Sequence, residues 1–507
     1  MRIMKNFLRQ IPAAFFLLGL AFTQPVRANG VAVSNITLTA PDAAAGTIKV
    51  QFDIAWNNSW RNALNYDAAW VFVKYSTDSG STWHHAQLKT AGLNPAGTSA
   101  GSGTGLDVLI PSDLRGAFLQ RSANGAGNVA ATGVRLVWDW DAAHLEATTS
   151  ARVQVFAIEM AYIPQGSFYV GDGTTSTVQG QLHTAGSVTT PFQITSEGQL
   201  TLGGGGAGSV GNNNATGMAT ADDFNNSTSK TLPAAFPKGY NAFYVMKSEV
   251  SQGQWVAFFN TLTTTQKGNR DITDSTGKNS DATVYRNTVS WTSGSASAGA
   301  NAYVACNYLS WMDVAAYAAW AGLRPFTELE YEKLSRGPAV AVANEYAWGT
   351  TDITEVTSII NSGAANETAG QTGNGLCVYN NRVGGPLRTG FAATGGTNRQ
   401  TAGASYYGVM ELSGNLWERP VSIGSATGRG FTGSHGSGEL STNGYATNSD
   451  WPGYGSGEIT TATGSGFRGG HWYRTTVYAR VSDRINAAYV DANRSYIYGA
   501  RCARTSP

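Results

Sequence analysis

Three sets of side chains in this sequence have types and spacing that could carry chemistry. The first is sulfur, at Cys306, Cys377 and Cys502. A thiolate is a nucleophile and a soft metal ligand. Three dispersed cysteines form neither a disulfide-dense scaffold nor a cysteine-rich zinc site, and at least one stays unpaired. The second is imidazole. His84 and His85 are adjacent, and neighbours on a strand point to opposite faces, so they do not share one metal. The third set is the run His471-Trp472-Tyr473-Arg474, followed by Arg480, Asp483 and Arg484. With only 13% of residues charged, clustered Arg and Asp are expected to form half-buried ion pairs, because the guanidinium fork makes several directed bonds. The competing use is recognition of an anionic or glycan ligand. Trp451, Tyr454, Trp472 and Tyr473, with His471 beside them, are the candidate rings for stacking on a sugar; filling the core is the other use of such rings.

Other matches are turn chemistry. Ser76 to Trp83 reads STDSGSTW, in which Asp caps a tight turn, Gly permits positive φ and Trp packs beneath the hairpin. Gly97-x-Ser99-x-Gly101 lies in a Gly/Ser/Thr loop with no strand-to-helix elbow, so it is not a nucleophile site. Gly203-x-Gly205-x-x-Gly208 sits among glycines with no strand–helix frame, so it is not a dinucleotide fingerprint.

The elements that must position these residues follow from composition and period. The chain has 507 residues, 42% of them apolar, enough for a large core and two domains. Its net charge is +1, so no polybasic surface points to nucleic acid. The 62 glycines and 11% aromatics suit short strands and loops pinned by rings. Arg2, Lys5 and Arg9 precede an apolar run from Ile11 to Phe22, and Val26-Arg27-Ala28 offers a small-x-small site. This predicts a signal peptide over 1–28, cut near Ala28, and an exported chain. No later stretch is long and apolar enough for a stable membrane span.

Residues 29–158 carry period-2 runs, at Ile48–Ile54, Ala69–Val73, Val134–Trp138 and Val153–Ala157. They predict an all-β sandwich of immunoglobulin or fibronectin type III kind. Residues 159–507 form the second domain, with a mobile Gly/Asn-rich insertion at 200–230. Three short helices are punctuated there. Ser251 and Gln254 make a capping box, Ser310 caps a helix that Gly322 stops, and Thr327 and Glu330 open a third that Gly337 closes.

The second domain resembles the formylglycine-generating enzyme, or sulfatase-modifying factor, family. The matching segments, in order, are MAYIPQGSFYVGDG, FYVMKSEVSQGQWVAFFN, CNYLSWMDVAAYAAWAGLRPFTELEYEKLSRGP, YAWG, YGVMELSGNLWERPV, FRGGHWYRTTVYARVSDR and GARCA. The resemblance implies a modified C-type-lectin-like fold: α+β, rich in coil. It also implies a test of activity. Family enzymes use a cysteine pair shortly after a Gly-Gly-Ser segment to bind copper(I), react with O2 and oxidise a sulfatase cysteine. Here Gly469-Gly470 is followed by His471 to Arg480 with no cysteine, so copper is not expected. Cys502 matches a structural cysteine whose usual disulfide partner would lie near Ala318, and Cys306 or Cys377 stays open as a substitute. A sister branch places histidines on iron. Only His183, His435 and His471 lie in this domain, without its H-x-x-x-H-x-E stretch. A further branch acts in pyoverdine maturation without the cysteine pair.

Calcium is the implied cofactor. The family's turn before Gly-Asn-x-Trp-Glu corresponds to Glu411 and Glu418 as side-chain ligands and Gly414 and Leu416 as carbonyl ligands, an oxygen set suited to a hard cation. Glu411 is longer than the family's usual Asp or Asn. The alternative for Glu418 is an ion pair with Arg419 or Arg468. A second, more divergent calcium position falls near Asn361. The resulting expectation is an exported binding or surface module that takes a glycan or protein through Trp451, Trp472 and Tyr473. The alternative is an oxidoreductase of the same superfamily working through His471, Tyr473 and Arg474.

Overall fold

The computed structural model describes residues 30–507 apart from 147–148, 176 and 215–216. The expected signal peptide, 1–28, lies outside the described residues. The first sheet is antiparallel, with the spatial order Ala32–Asp42, Thr47–Arg61, Gly125–Asp139, Ser102–Gly103. The second runs Ala503–Thr505, Phe243–Met246, Arg152–Ile163, Asp67–Ser76, Ala117–Arg121, Leu106–Ile110, Gly92–Leu93.

Alternation builds the core between the sheets. Val50, Phe52 and Ile54 from the first meet Ala69, Val71, Val73 and Leu119 from the second. All ten residues of Asp67–Ser76 are buried. The opposite face of that strand, Ala68, Trp70 and Phe72, packs with Phe118, Phe156 and Ile158 into a second core. That core also takes Trp255 and Phe258 from helix α1 (Gln252–Phe259) and Tyr317 and Trp320 from α3 (Trp311–Trp320). A strand buried on both faces reads as a continuous apolar run, as AAWVFV does.

Strand Arg152–Ile163 crosses the expected 158/159 boundary without a linker. It pairs with Asp67–Ser76 from Arg152↔Ser76 to Ala161↔Asp67, and its last four residues pair with Phe243–Met246. One sheet therefore serves both regions, and its helix-covered face welds them.

The described helices are few and short. Capping boxes open α1 at Ser251/Gln254, α2 (Thr264–Arg270) at Thr263/Gln266, α3 at Ser310/Asp313 and α4 (Glu328–Arg336) at Thr327/Glu330. Gly337, at φ 69°, ends α4 in a conformation that favours glycine. Helix α2 is absent from the expectation because its TTQKGNR stretch carries no apolar period.

The 200–230 insertion corrects the expectation of a mobile loop. Leu200–Leu202, Val210–Asn212 and Lys230–Leu232 join Leu182–Thr184 in a four-stranded sheet. Leu202, Val210, Phe224 and Leu232 enter the main core. Asp222 is paired with Arg484 at 2.8 Å, both side chains fully buried. Composition alone missed this because four apolar anchors and one buried charge are enough to fix a Gly-rich segment.

Candidate functional site

The Gly-Asn-x-Trp-Glu turn is the hub of the second region. Asn415 donates its backbone N–H to Val378 O (3.1 Å), accepts the Leu387 N–H on Oδ1 (2.8 Å) and donates Nδ2 to Glu249. The other Glu249 oxygen accepts the Leu416 N–H at 3.0 Å. Trp472 N–H donates to Asn415 O at 2.8 Å, which fixes the 471–480 segment to the same turn. Ser413 holds its far end, donating Oγ to Ala479 O at 2.7 Å.

Glu411 and Glu418 lie in this hub, 5% and 0% exposed. Glu418 is paired with Arg501 (2.7 Å from Nε to Oε1), not with Arg419 or Arg468. Arg468 is instead committed to Glu328 (3.1 Å) and Glu332 (2.9 Å) on α4. Arg419 lies against the rings of Phe467 (4.4 Å) and Tyr498 (5.3 Å). Glu411 accepts the Gly390 N–H at 2.8 Å, and burial pushes its carboxyl up to about 7. Glu249 is pushed well above the carboxylate range by burial and by Glu411 and Glu418 beside it. Both Glu411 Oε2 and Glu418 Oε2 are buried without a hydrogen-bond partner. These two orphaned oxygens are what a hard cation would engage. No three His, Cys, Asp or Glu side chains converge as a metal site among the described residues, so the remaining ligands of such a cation would be carbonyls.

The aromatic candidates divide. Trp451 is 1% exposed, inside the main core, with Nε1 donating to Ser434 O at 2.9 Å. Trp472 is 0% exposed, in a different core cluster, and donates Nε1 to Tyr496 O at 3.0 Å. The expectation of these two indoles as stacking platforms is corrected: both are core residues that satisfy their N–H on carbonyls. Tyr473 is 43% exposed. Its ring stands 5.8 Å from Tyr496 at 78° and 5.4 Å from Trp472 at 85°. Tyr285 packs on Trp472 (5.2 Å) and Tyr496 (4.5 Å). The half-buried ring against Tyr473 is thus Tyr496, with Tyr285 behind it on Tyr496 and Trp472. Sequence reasoning missed them because they lie 188 and 23 positions from Tyr473 (473 − 285 and 496 − 473).

His471 is 3% exposed and packs on Trp417 at 5.5 Å. Its Nδ1 accepts the Tyr473 N–H at 3.3 Å. Burial, with Arg474 beside it, pushes the imidazole down to about 3, so it is neutral at ordinary pH. Arg474 is exposed. Arg484 is fully buried between Asp222 and Glu328; of the run expected to form ion pairs, it is the member that does so among the described residues. Asp483 is buried, accepts only the Ile485 N–H in the described contacts, and is pushed up to about 7.

All three cysteines are buried and free. Burial pushes each thiol well above its usual range. Cys377 packs with Ala479, Tyr346 and Trp348 and donates to Ser413 O at 3.1 Å. Cys306 and Cys502 lie in the main core. No pair forms a disulfide, and a buried neutral thiol is a poor nucleophile.

Among the described residues no helix is long and apolar enough to cross a membrane. No curated protein matches the chain. The family described as sulfatase-modifying factor enzyme 1-like domain matches residues 191–506. That range covers more than half of the sequence and contains the hub, the Tyr473 surface and all three cysteines, so the chain belongs to the formylglycine-generating enzyme, or sulfatase-modifying factor, family.

Proposed function

We propose that this is an exported member of the family that binds a glycan or protein ligand and does not generate formylglycine. In this reading a sandwich of immunoglobulin or fibronectin type III kind supports a modified C-type-lectin-like domain. The basic residues Arg2, Lys5 and Arg9 before the apolar run from Ile11 to Phe22 support a leader over 1–28 and export to the periplasm, cell surface or medium. The observation that carries the reading is the 471–480 segment, which has no cysteine. The thiol packed against its far end, Cys377, is single, 1% exposed and held protonated by burial. Copper(I) chemistry of the family's kind needs two accessible thiolates. Incubating the protein with copper(I), O2 and a cysteine-type sulfatase peptide, followed by mass spectrometry, is expected to leave the peptide unconverted; conversion refutes the reading.

The proposed cofactor is calcium, held by Glu411, Glu418 and the Gly414 and Leu416 carbonyls. The two unpartnered carboxylate oxygens support it. Bound there, the cation would neutralise excess buried negative charge and stiffen the hub. The second reading is an oxidoreductase-type modifying enzyme, formylglycine-generating or pyoverdine-maturation-like. It draws on His471, Tyr473 and Arg474, which are consecutive in a segment tied to the Gly-Asn-x-Trp-Glu turn.

A further inference from the structure

We propose that the corner between Tyr473 and Tyr496, backed by Trp472 and flanked by Tyr285 and Arg474, binds an acidic pyranose, a sugar ring carrying a carboxylate. The inference rests on the binding-module reading and narrows its ligand class and contact set.

The rings are fixed before any ligand arrives. Trp472 is tied at its N–H to Asn415 O (2.8 Å), at its carbonyl to the Asn381 N–H (2.8 Å) and at Nε1 to Tyr496 O (3.0 Å). Tyr473 and Tyr496 stand at 78° to one another, so they form two walls rather than one flat patch. Tyr285 closes the back, 4.5 Å from Tyr496. A ring wall of this kind offers a large, rigid, amphipathic contact with little side-chain entropy to lose on binding. Tyrosine hydroxyls at the rim suit a ligand that has apolar C–H faces and hydroxyls together.

Charge selects the acidic sugar. Arg474 is exposed, and its positive charge reaches both His471 and Tyr496. No carboxylate pairs with it among the described residues. An unpaired guanidinium presents a fork that matches a carboxylate in two parallel bonds. Asp281, whose charge also reaches Tyr496, accepts the Tyr308 hydroxyl at 2.8 Å.

The test is isothermal titration of the full chain with tetragalacturonate, with cellotetraose as the neutral control and an oligo-glutamate peptide as the charge control. The expected result is saturable binding of the uronate, at least 10-fold tighter than cellotetraose and weakened by added salt. Arg474→Gln is expected to bring the uronate down to the cellotetraose level with the thermal melt unchanged, because the side chain is exposed. Tyr473→Ala is expected to weaken both sugars. Failure of the folded protein to bind any uronate overturns the inference, as does binding indifferent to Arg474→Gln, or oligo-glutamate binding as tightly as the sugar. Binding of cellotetraose with no preference for uronate also overturns it, yet leaves the glycan-module reading standing. Conversion of a sulfatase peptide refutes the non-catalytic reading and leaves this site intact.

Discussion

Replacing Trp70 by alanine should unfold the two regions together rather than the sandwich alone. Trp70 is 0% exposed and sits in the core shared between the second sheet and helices α1 and α3. Its Nε1 donates to Ala321 O at 2.8 Å. Its ring lies 4.8 Å from Phe118, and the Arg504 guanidinium lies 4.2 Å over it. Truncating a fully buried Trp costs about 3–5 kcal/mol in transfer and cavity terms. Leaving the Ala321 carbonyl without its donor adds about 1 kcal/mol. The sum is about 4–6 kcal/mol, before the smaller loss of the cation–ring contact. Urea unfolding followed by circular dichroism and by fluorescence should show one coincident transition in both proteins. The midpoint should fall in the variant with the slope unchanged. Two refuting results are clear. A variant with two separated transitions, the later one at the parent midpoint, would mean that the shared strand Arg152–Ile163 does not couple the regions. A loss below about 2 kcal/mol would mean that the interface re-packs around the missing ring.

Other outcomes follow from the same geometry. Burial pushes the Lys74 ammonium down from 10.5 to about 7. The unfolded chain therefore binds a proton that the folded chain lacks between about 7 and 10.5, so stability should rise with pH across that window, with a limiting slope of about 1.4 kcal/mol per unit from this group. Lys74→Met should flatten the rise, as read from urea midpoints at several pH values. Calcium should raise the thermal midpoint and chelator should lower it, and Glu418→Gln should remove the difference. Asp222→Asn breaks a fully buried pair with Arg484 and should destabilise by about 3–5 kcal/mol; hydrogen exchange should quicken first in the sheet containing Val210–Asn212. Native protein should give no reaction with a thiol reagent at pH 8, and denatured protein should give three equivalents, matching three buried free cysteines.

Much of this molecule was legible in its sequence because the signals are local. Capping boxes at Ser251 and Thr327 and the cap at Ser310 need only a residue and its near neighbours, and all three form. The STDSGSTW turn is likewise self-contained: Asp78 Oδ1 accepts the Ser81 and Thr82 N–H groups at 3.0 and 2.9 Å. The ordered motifs from 159 onward identified the family, and the cysteine-free 471–480 segment is a fact of composition.

What needed the tertiary structure is whatever depends on contacts between distant segments. Burial is such a quantity. Nothing near Trp472 or Trp451 in the chain says that both indoles are spent inside different cores, or that Tyr496 comes to stand against Tyr473 with Tyr285 behind it. Pairing is another: Glu418 meets Arg501 across the hub rather than its neighbour Arg419, because the side-chain directions set by the turn, not the sequence distance, decide which charge is within reach. The shared strand is the third. Alternation in 153–157 marks a strand, while its second partner, Phe243–Met246, lies some 80 residues on, and only closure of the sheet brings the two edges together.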